Sequence, residues 1–198
     1  MKNLTKVAIH LIYYLFRSKL YLDGPLLVDN EGLHGMVERC GAKDLSSGSH
    51  IVYIEGFQGG GGVGMIATYS GPDTGDEKVL MRSGVVASNG RYYAQCNPSS
   101  QGDASQFTIC MFRSDGGLGS IPKLGDADNG GSKLYFVGKG RLPVVDMHDL
   151  LGFRDYVPNT PNANYAWAIY GQLKIGAEGM YSLCISSDDG FVPLFHPG

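Results

Sequence analysis

Charged residues are scarce in this sequence. Lys, Arg, Asp and Glu account for 18% of its 198 positions, and the formal net charge is −3. No basic stripe could neutralise a row of phosphates, which argues against a nucleic acid as the partner. An apolar run long enough to cross a bilayer is also missing, because the stretch at 7–16 is too short. We therefore expect neither nucleic-acid binding nor a membrane span.

The N-terminal segment 1–17 lacks two marks of a secretory signal. His10 and two tyrosines interrupt its apolar part, and no small-x-small cleavage site precedes the polar residues that follow. We expect this segment to be a leader or an unstructured stretch.

The motifs of common catalytic and metal sites are absent as well. The four cysteines stand singly, without the C-x-x-C pairs of zinc sites, and the five histidines show no H-E-x-x-H spacing. No G-x-S-x-G nucleophile motif occurs. The glycine run in FQGGGGVGM lacks the Gly-Lys-Ser/Thr ending of a phosphate-binding loop. The sequence thus predicts a protein that is not an enzyme and has no metal-thiolate centre.

Glycine and strand-forming residues are abundant. The chain has 30 glycines and 12 tyrosines, and 43% of its residues are hydrophobic. Such a composition favours short strands joined by turns over helices, and the length suits one core. We therefore predict an all-β domain.

A first strand-rich block covers 18–70. Asp23 and Gly24 separate two apolar runs and predict a hairpin turn, and a loop is expected at 30–49. The stretches HIVYIEGF and VGMIATYS then predict two strands around a glycine-rich loop. The range 71–132 is rich in Gly, Asp and Ser, holds only short strand candidates such as QFTICMF, and is expected to be a linker or a long insertion.

A second strand-rich block covers 133–190. Apolar residues alternate with polar ones from Tyr181 to Ile185, the pattern of a strand with one buried face. Trp167 and Tyr165 share one face of another predicted strand and are expected in the core. A short DMHDLLGF segment predicts a turn of helix between the strands.

Cys96 and Cys110 flank a polar segment. In an oxidising compartment they would form a disulfide, and elsewhere they would be reduced thiols half-buried on strands. The sequence leaves both alternatives open.

Three stretches of the chain carry a resemblance to a known family. They are AIYGQLKIGAEGMYSLCISSDDG at 168–190, SKLYLDGPLLVDN at 18–30, and SGSHIVYIEGFQGGGGVGMIATYSGPD at 47–73. Together they resemble the protective-antigen fourteen-kilodalton domain family, a lectin-like β-sandwich also seen in flocculin and GLEYA adhesins. The resemblance implies an antiparallel, jelly-roll-like β-sandwich.

The order of these stretches departs from the family. Here 18–73 resembles the family's C-terminal half and 133–190 its N-terminal half, so the sandwich would be circularly permuted or built from two half-domains. The range 74–132 would be a linker or insertion, and 191–198 a tail. Alternatively, the chain is a fragment of a tandem-domain array. Halves that pair between chains would give domain-swapped self-association.

The resemblance also implies a function. In the adhesin branch, two adjacent aspartates joined by a cis peptide bond hold calcium, which coordinates sugar hydroxyls. The implied function is calcium-dependent, non-catalytic binding of glycans or glycoconjugates by an extracellular or cell-surface protein. The metal ligands implied here are Asp188, Asp189 and Glu55, and the ligand-binding residues are Gln58, Gly59, Gly60, Gly61 and Asn30.

Elementary chemistry is compatible with this function. Adjacent carboxylates repel each other, and calcium, which takes about six to eight oxygen ligands, would relieve that repulsion. The alternative is that Asp188 and Asp189 cap backbone N–H groups in a turn. The domain would then be a metal-free structural or protein-interaction sandwich.

Overall fold

The computed structural model describes residues 16–32, 34–84, 106–118 and 134–189. Within these ranges the protein consists mainly of strands, with one α-helix and one short 3-10 helix at Pro72–Thr74. In chain order the elements are β1 (Phe16–Leu22), β2 (Leu26–Asn30), β3 (Val37–Leu45), β4 (Gly48–Gln58), β5 (Val63–Ser70), β6 (Val79–Leu80), β7 (Ser83–Gly84), β8 (Phe107–Ser114), β9 (Leu134–Leu142), β10 (Asp146–Met147), α1 (Leu150–Tyr156), β11 (Tyr165–Ile175) and β12 (Gly179–Asp189).

The strands form two antiparallel sheets. Sheet A has the order β2-β1-β4-β11-β8-β9, with β7 also paired to β11. Sheet B has the order β10-β5-β12-β3, with β6 also paired to β5. The two sheets pack on a shared apolar core. The predicted all-β sandwich is therefore confirmed.

The two strand-rich blocks of the sequence pair within one chain. In sheet A, β11 pairs with β4 along its whole length, from Tyr165 opposite Gln58 to Ile175 opposite Gly48. In sheet B, β12 lies between β3 and β5. Each block thus covers an edge and an apolar face that the other would leave exposed. Domain-swapped self-association between chains stays a prediction.

Side-chain alternation directs one face of each sheet into the core. On β4, Val52 and Ile54 point inward and have no exposed surface. Trp167 and Tyr165 on β11 are likewise completely buried, as predicted. The ring of Phe153 from α1 lies 6.0 Å from each of their ring centroids and covers this end of the core.

Local turn chemistry appears where the sequence predicts it. Asp23 and Gly24 have positive φ angles of 54° and 104°, the conformation of a two-residue hairpin turn between β1 and β2. The helical turn in DMHDLLGF is α1, whose N-cap Asp149 accepts a hydrogen bond from the Gly152 amide at 2.8 Å. Both features follow from short-range sequence alone.

The expectation of a loop at 30–49 is wrong, because β3 occupies Val37–Leu45. This strand is mostly exposed and only its last residue, Leu45, is buried. It lacks an apolar alternation because it is an edge strand of sheet B, held by β12 on one side. The prediction failed because an exposed edge strand carries little hydrophobic signal.

The range 74–132, expected to be a linker or insertion, supplies an inner strand of sheet A. There β8 lies between β11 and β9, and all residues from Phe107 to Phe112 are buried. Both faces of β8 are covered, so apart from Thr108 its buried residues form an apolar run without alternation. This part of the range belongs to the sandwich.

A disulfide joins Cys40 of β3 to Cys184 of β12, which lie opposite each other in the strand register. The two cysteines are 144 residues apart in sequence. Cys110 is also disulfide-bonded, which excludes the reduced-thiol alternative for it. Cys96 lies outside the described residues. Among the described helices none is long and apolar enough to cross a membrane.

Candidate functional site

The acidic doublet lies beside the glycine run. β12 ends with Asp188 opposite Gly64 and Asp189 opposite Val63 on β5. Because β5 begins directly after the glycines at 59–62, the end of β12 and this loop share one end of the sandwich. The structure therefore brings Asp188 and Asp189 together with the predicted loop residues, across more than a hundred residues of sequence. Every described peptide bond is trans, including the one between these aspartates, which differs from the cis bond that the resemblance implies.

Ser187 anchors the strand end that carries the doublet. Its hydroxyl lies 2.9 Å from the Ser18 hydroxyl and accepts a hydrogen bond from Asn30 Nδ2 at 2.9 Å. All three residues are completely buried. Since Ser187 belongs to sheet B while Ser18 and Asn30 belong to sheet A, these bonds connect the two sheets next to Asp188.

Two buried amide oxygens at this end of the core have no hydrogen-bond partner among the described residues. Asn30 uses its Nδ2 on Ser187 and on the Val37 carbonyl at 3.1 Å, but its Oδ1 accepts nothing. Gln58 donates from Nε2 to the Gly62 carbonyl at 2.9 Å, and its Oε1 also accepts nothing. Buried acceptors are normally satisfied, so each orphaned oxygen calls for an explanation such as an ion or water.

Gln58 also shapes the glycine loop. Besides Gly62, its Nε2 donates to the Gly61 carbonyl at 3.3 Å, so one buried amide holds two consecutive loop carbonyls. In the strand register Gln58 lies opposite Tyr165, whose buried hydroxyl also finds no partner within the described part of the chain. The loop is therefore fixed from inside the core.

Glu55 is not brought together with the doublet. On β4 it alternates with Ile54, which faces the core, so its side chain lies on the outer face of sheet A. There its carboxylate accepts hydrogen bonds from the Tyr21 hydroxyl at 2.8 Å and the Tyr53 hydroxyl at 2.5 Å. Asp188 is on the outer face of sheet B, one residue after the inward-facing Ser187. The two carboxylates thus point to opposite sides of the sandwich.

A row of tyrosines, which was not predicted from the sequence, accompanies Glu55. Tyr21, Tyr53 and Tyr170 lie opposite one another on β1, β4 and β11, with ring centroids 5.4 Å and 4.9 Å apart. Burial, and then the neighbouring Glu55 carboxylate, raise the pKa of Tyr21 well above its usual range. Tyr21 and Tyr53 thus both donate to the Glu55 carboxylate. In the sequence, the period-two spacing of Tyr53 and Glu55 indicates that the two side chains share one face of a strand.

Among the described residues, one group of three or more His, Cys, Asp or Glu side chains is close enough to share a metal. It consists of Glu38, Cys40 and Cys184, whose ligand atoms lie within 4.8 Å of one another. The two sulfurs are joined in the disulfide and offer no thiolate. The Glu38 carboxylate is paired with the Lys78 ammonium at 2.6 Å. This group is accounted for by structural bonds.

The chain was compared with protein-family models, with curated proteins and with solved structures, and nothing matches it. Its resemblance to the protective-antigen fourteen-kilodalton domain family accordingly rests on the three quoted stretches of sequence.

Proposed function

We propose that this chain is a calcium-dependent carbohydrate-binding module of an extracellular or cell-surface protein, without catalytic activity. The observation that carries the proposal is the pairing of β12 with β5, which brings Asp188 and Asp189 beside the glycine run at 59–62. A reversed order of the two family halves is part of the same hypothesis.

The oxygen donors at this end of the sandwich support calcium as the ion. Asp188 and Asp189 supply carboxylates, and the glycine loop supplies carbonyls. The side chains of Asn30 and Gln58 are completely buried in the core and are not part of this ligand set. Calcium accepts such mixed oxygen sets on adaptable loops. Bound there, calcium supplies a positive centre for sugar hydroxyls. Glu55 is excluded from the proposed ligand set because its carboxylate lies on the outer face of sheet A, away from the doublet on sheet B.

The glycine loop supports a sugar as the second partner. Gly59 is partly exposed, Gly61 is exposed, and neither has a side chain, so a ligand can approach their backbone closely, whereas Gly60 is buried. Gln58 fixes the carbonyls of Gly61 and Gly62, so the loop is already ordered. The entropic cost of ordering the loop on ligand binding is therefore smaller.

The cysteine chemistry supports an extracellular location. Cys40 and Cys184 are joined, Cys110 is also disulfide-bonded, and no described cysteine is free. Disulfides of this kind persist in oxidising compartments and are rare in reducing ones.

Replacing Asp188 and Asp189 together by asparagine should abolish calcium binding. We expect the parent chain to bind calcium with a Kd of roughly 0.1 to 1 mM, the range of extracellular modules, and the double variant to show no saturable heat in titration calorimetry. The control is the double variant Asp44→Asn with Glu178→Gln, which removes the same amount of charge. Both residues are exposed and lie near the other end of β12, Glu178 just before it and Asp44 opposite Met180 on β3. A parent chain that releases no heat with calcium would overturn the ion site.

Glycan binding is tested separately on a glycan array. The parent chain should retain glycans in calcium and lose them in a chelator, and the double aspartate variant should retain none. Retention that survives the chelator would leave a carbohydrate-binding module without calcium. No retention under either condition would refute the glycan function.

A metal-free protein-interaction sandwich is the second candidate. It is favoured by the use of the Gly61 and Gly62 carbonyls within the loop, since a loop that satisfies itself needs no ion. In that case, calcium should leave the melting temperature of the parent chain unchanged.

A further inference from the structure

His50 lies at the end of the sandwich opposite to the candidate calcium site. It is near the start of β4, eight residues or roughly 26 Å of strand before Gln58. Its side chain is only 11% exposed. Its ring nitrogens contact the β1–β2 turn of sheet A and the turn that joins β3 of sheet B to β4 of sheet A.

Both ring nitrogens of His50 face hydrogen-bond acceptors. Nδ1 lies 2.8 Å from Oδ2 of Asp23, and Nε2 lies 2.9 Å from the Ser46 carbonyl oxygen. An ionised carboxylate and a carbonyl cannot donate, and a neutral imidazole has only one N–H. Only the doubly protonated imidazolium satisfies both contacts. The neutral ring leaves one nitrogen lone pair directed at an oxygen.

Asp23 joins the contact to the rest of the fold. Its Oδ1 accepts a hydrogen bond from the Ile51 amide at 2.9 Å, and its own amide donates to the Ile51 carbonyl at 2.9 Å. Lys43 of β3 lies 3.6 Å from the same carboxylate and donates to the Leu22 carbonyl at 3.3 Å. Asp23 and Lys43 are the charged groups that act on His50.

We propose that His50 is a pH-sensitive clasp: as an imidazolium it ties the β1–β2 turn to the β3–β4 turn, and its deprotonation loosens this end of the sandwich. The inference is independent of the proposed function. The link between these two turns is therefore strongest in a mildly acidic medium.

The pH window follows from the two partners. Burial alone would lower the pKa of His50, but its bonds to Asp23 and Ser46 outweigh burial and raise that pKa. The stabilisation is therefore complete below the unfolded value of about 6.5 and is lost as the pH rises through the higher folded value. Burial alone would raise the pKa of Asp23, but its bonds to His50 and Ile51 lower it. This contribution is present above about pH 3.9 and is lost on further acidification.

The first test is an NMR titration of the His50 ring, assigned by the signal missing from His50→Gln. The midpoint in the parent chain should lie above that of an unstructured peptide. Asp23→Asn should lower it by removing the partner charge, and Lys43→Gln should raise it by removing a competing cation. A parent midpoint at or below the peptide value would overturn the proposal, as would no response to Asp23→Asn.

The second test compares unfolding in denaturant at pH 5.5 and pH 9. His50→Gln should increase the unfolding constant about tenfold at pH 5.5, since charge-assisted hydrogen bonds are lost, and very little at pH 9. The matched control is His148→Gln. His148 also lies 2.8 Å from an aspartate, Asp146, but the His148 side chain is 70% exposed. This variant should therefore change the unfolding constant little at either pH. An equal penalty for His50→Gln at both values would contradict the clasp. If His50→Gln fails to fold, the His50 signal is identified as the one whose midpoint responds to both Asp23→Asn and Lys43→Gln, and the absence of any such signal overturns the proposal.

Discussion

Replacing Cys40 and Cys184 together by alanine should lower the free energy of unfolding by about 4 kcal/mol. The cross-link joins positions 144 residues apart, so it removes a large part of the conformational freedom of the unfolded chain. It also lies in the middle of the pairing between β12 and β3, an edge strand with little buried surface of its own. We expect β3 to be the first strand to separate in the variant.

Denaturant unfolding of the parent and the alanine pair measures this loss. The control is a cycle with the single variants Cys40→Ala and Cys184→Ala. Each removes the same bond, so each should cost about as much as the pair and the effects should not add. Equal midpoints for the parent and the pair would show that the disulfide contributes no stability. Hydrogen exchange of the β3 amides should increase more than that of β4.

Replacing Gly56 by alanine should destabilise the domain by about 3 kcal/mol. A Cβ at this position would lie 2.4 Å from the Trp167 ring and 2.6 Å from the Arg17 carbonyl oxygen. The ring cannot move aside because Trp167 is completely buried in the core. The carbonyl cannot move because β1 is paired with β4 along its whole length. Overpacking therefore has to shift a strand.

The matched control is Gly35→Ala, where an added Cβ would meet no atom within 4 Å. It should change stability by less than about 0.5 kcal/mol. Trp167→Phe in the Gly56→Ala background should recover part of the loss, because the smaller ring leaves room for the methyl group. Parent-like unfolding of Gly56→Ala would mean that Trp167 does not pack against β4 as described.

Short-range sequence features determined much of the fold. Alternation predicted β12 with its buried face, and the Asp23-Gly24 pair predicted the first hairpin. These predictions succeed because the period of a strand and the φ angles of a turn depend on neighbouring residues. Edge strand β3 was missed because its exposed residues do not alternate. The strand candidate QFTICMF is β8, but its place inside sheet A was not predicted, because a strand covered on both faces shows no alternation that would indicate its neighbours.

The candidate site was only partly predictable. The quoted stretches indicated that Asp188, Asp189 and the glycine run belong together, and the pairing of β12 with β5 brings them together. Glu55 lies elsewhere because strand alternation directs its carboxylate away from the core. The orphaned oxygens of Asn30 and Gln58 were invisible in the sequence, since an unpartnered acceptor exists only once its surroundings are folded.

By itself, the sequence determined the all-β class, the hairpin and most of the individual strands, because these depend on local periodicity and turn residues. Tertiary structure alone decided the Cys40–Cys184 bond, the His50 contacts and the cross-sheet bonds of Ser187. Each of these depends on which strands become neighbours. That choice is made by burying the apolar faces of both sheets against each other, which no local segment encodes.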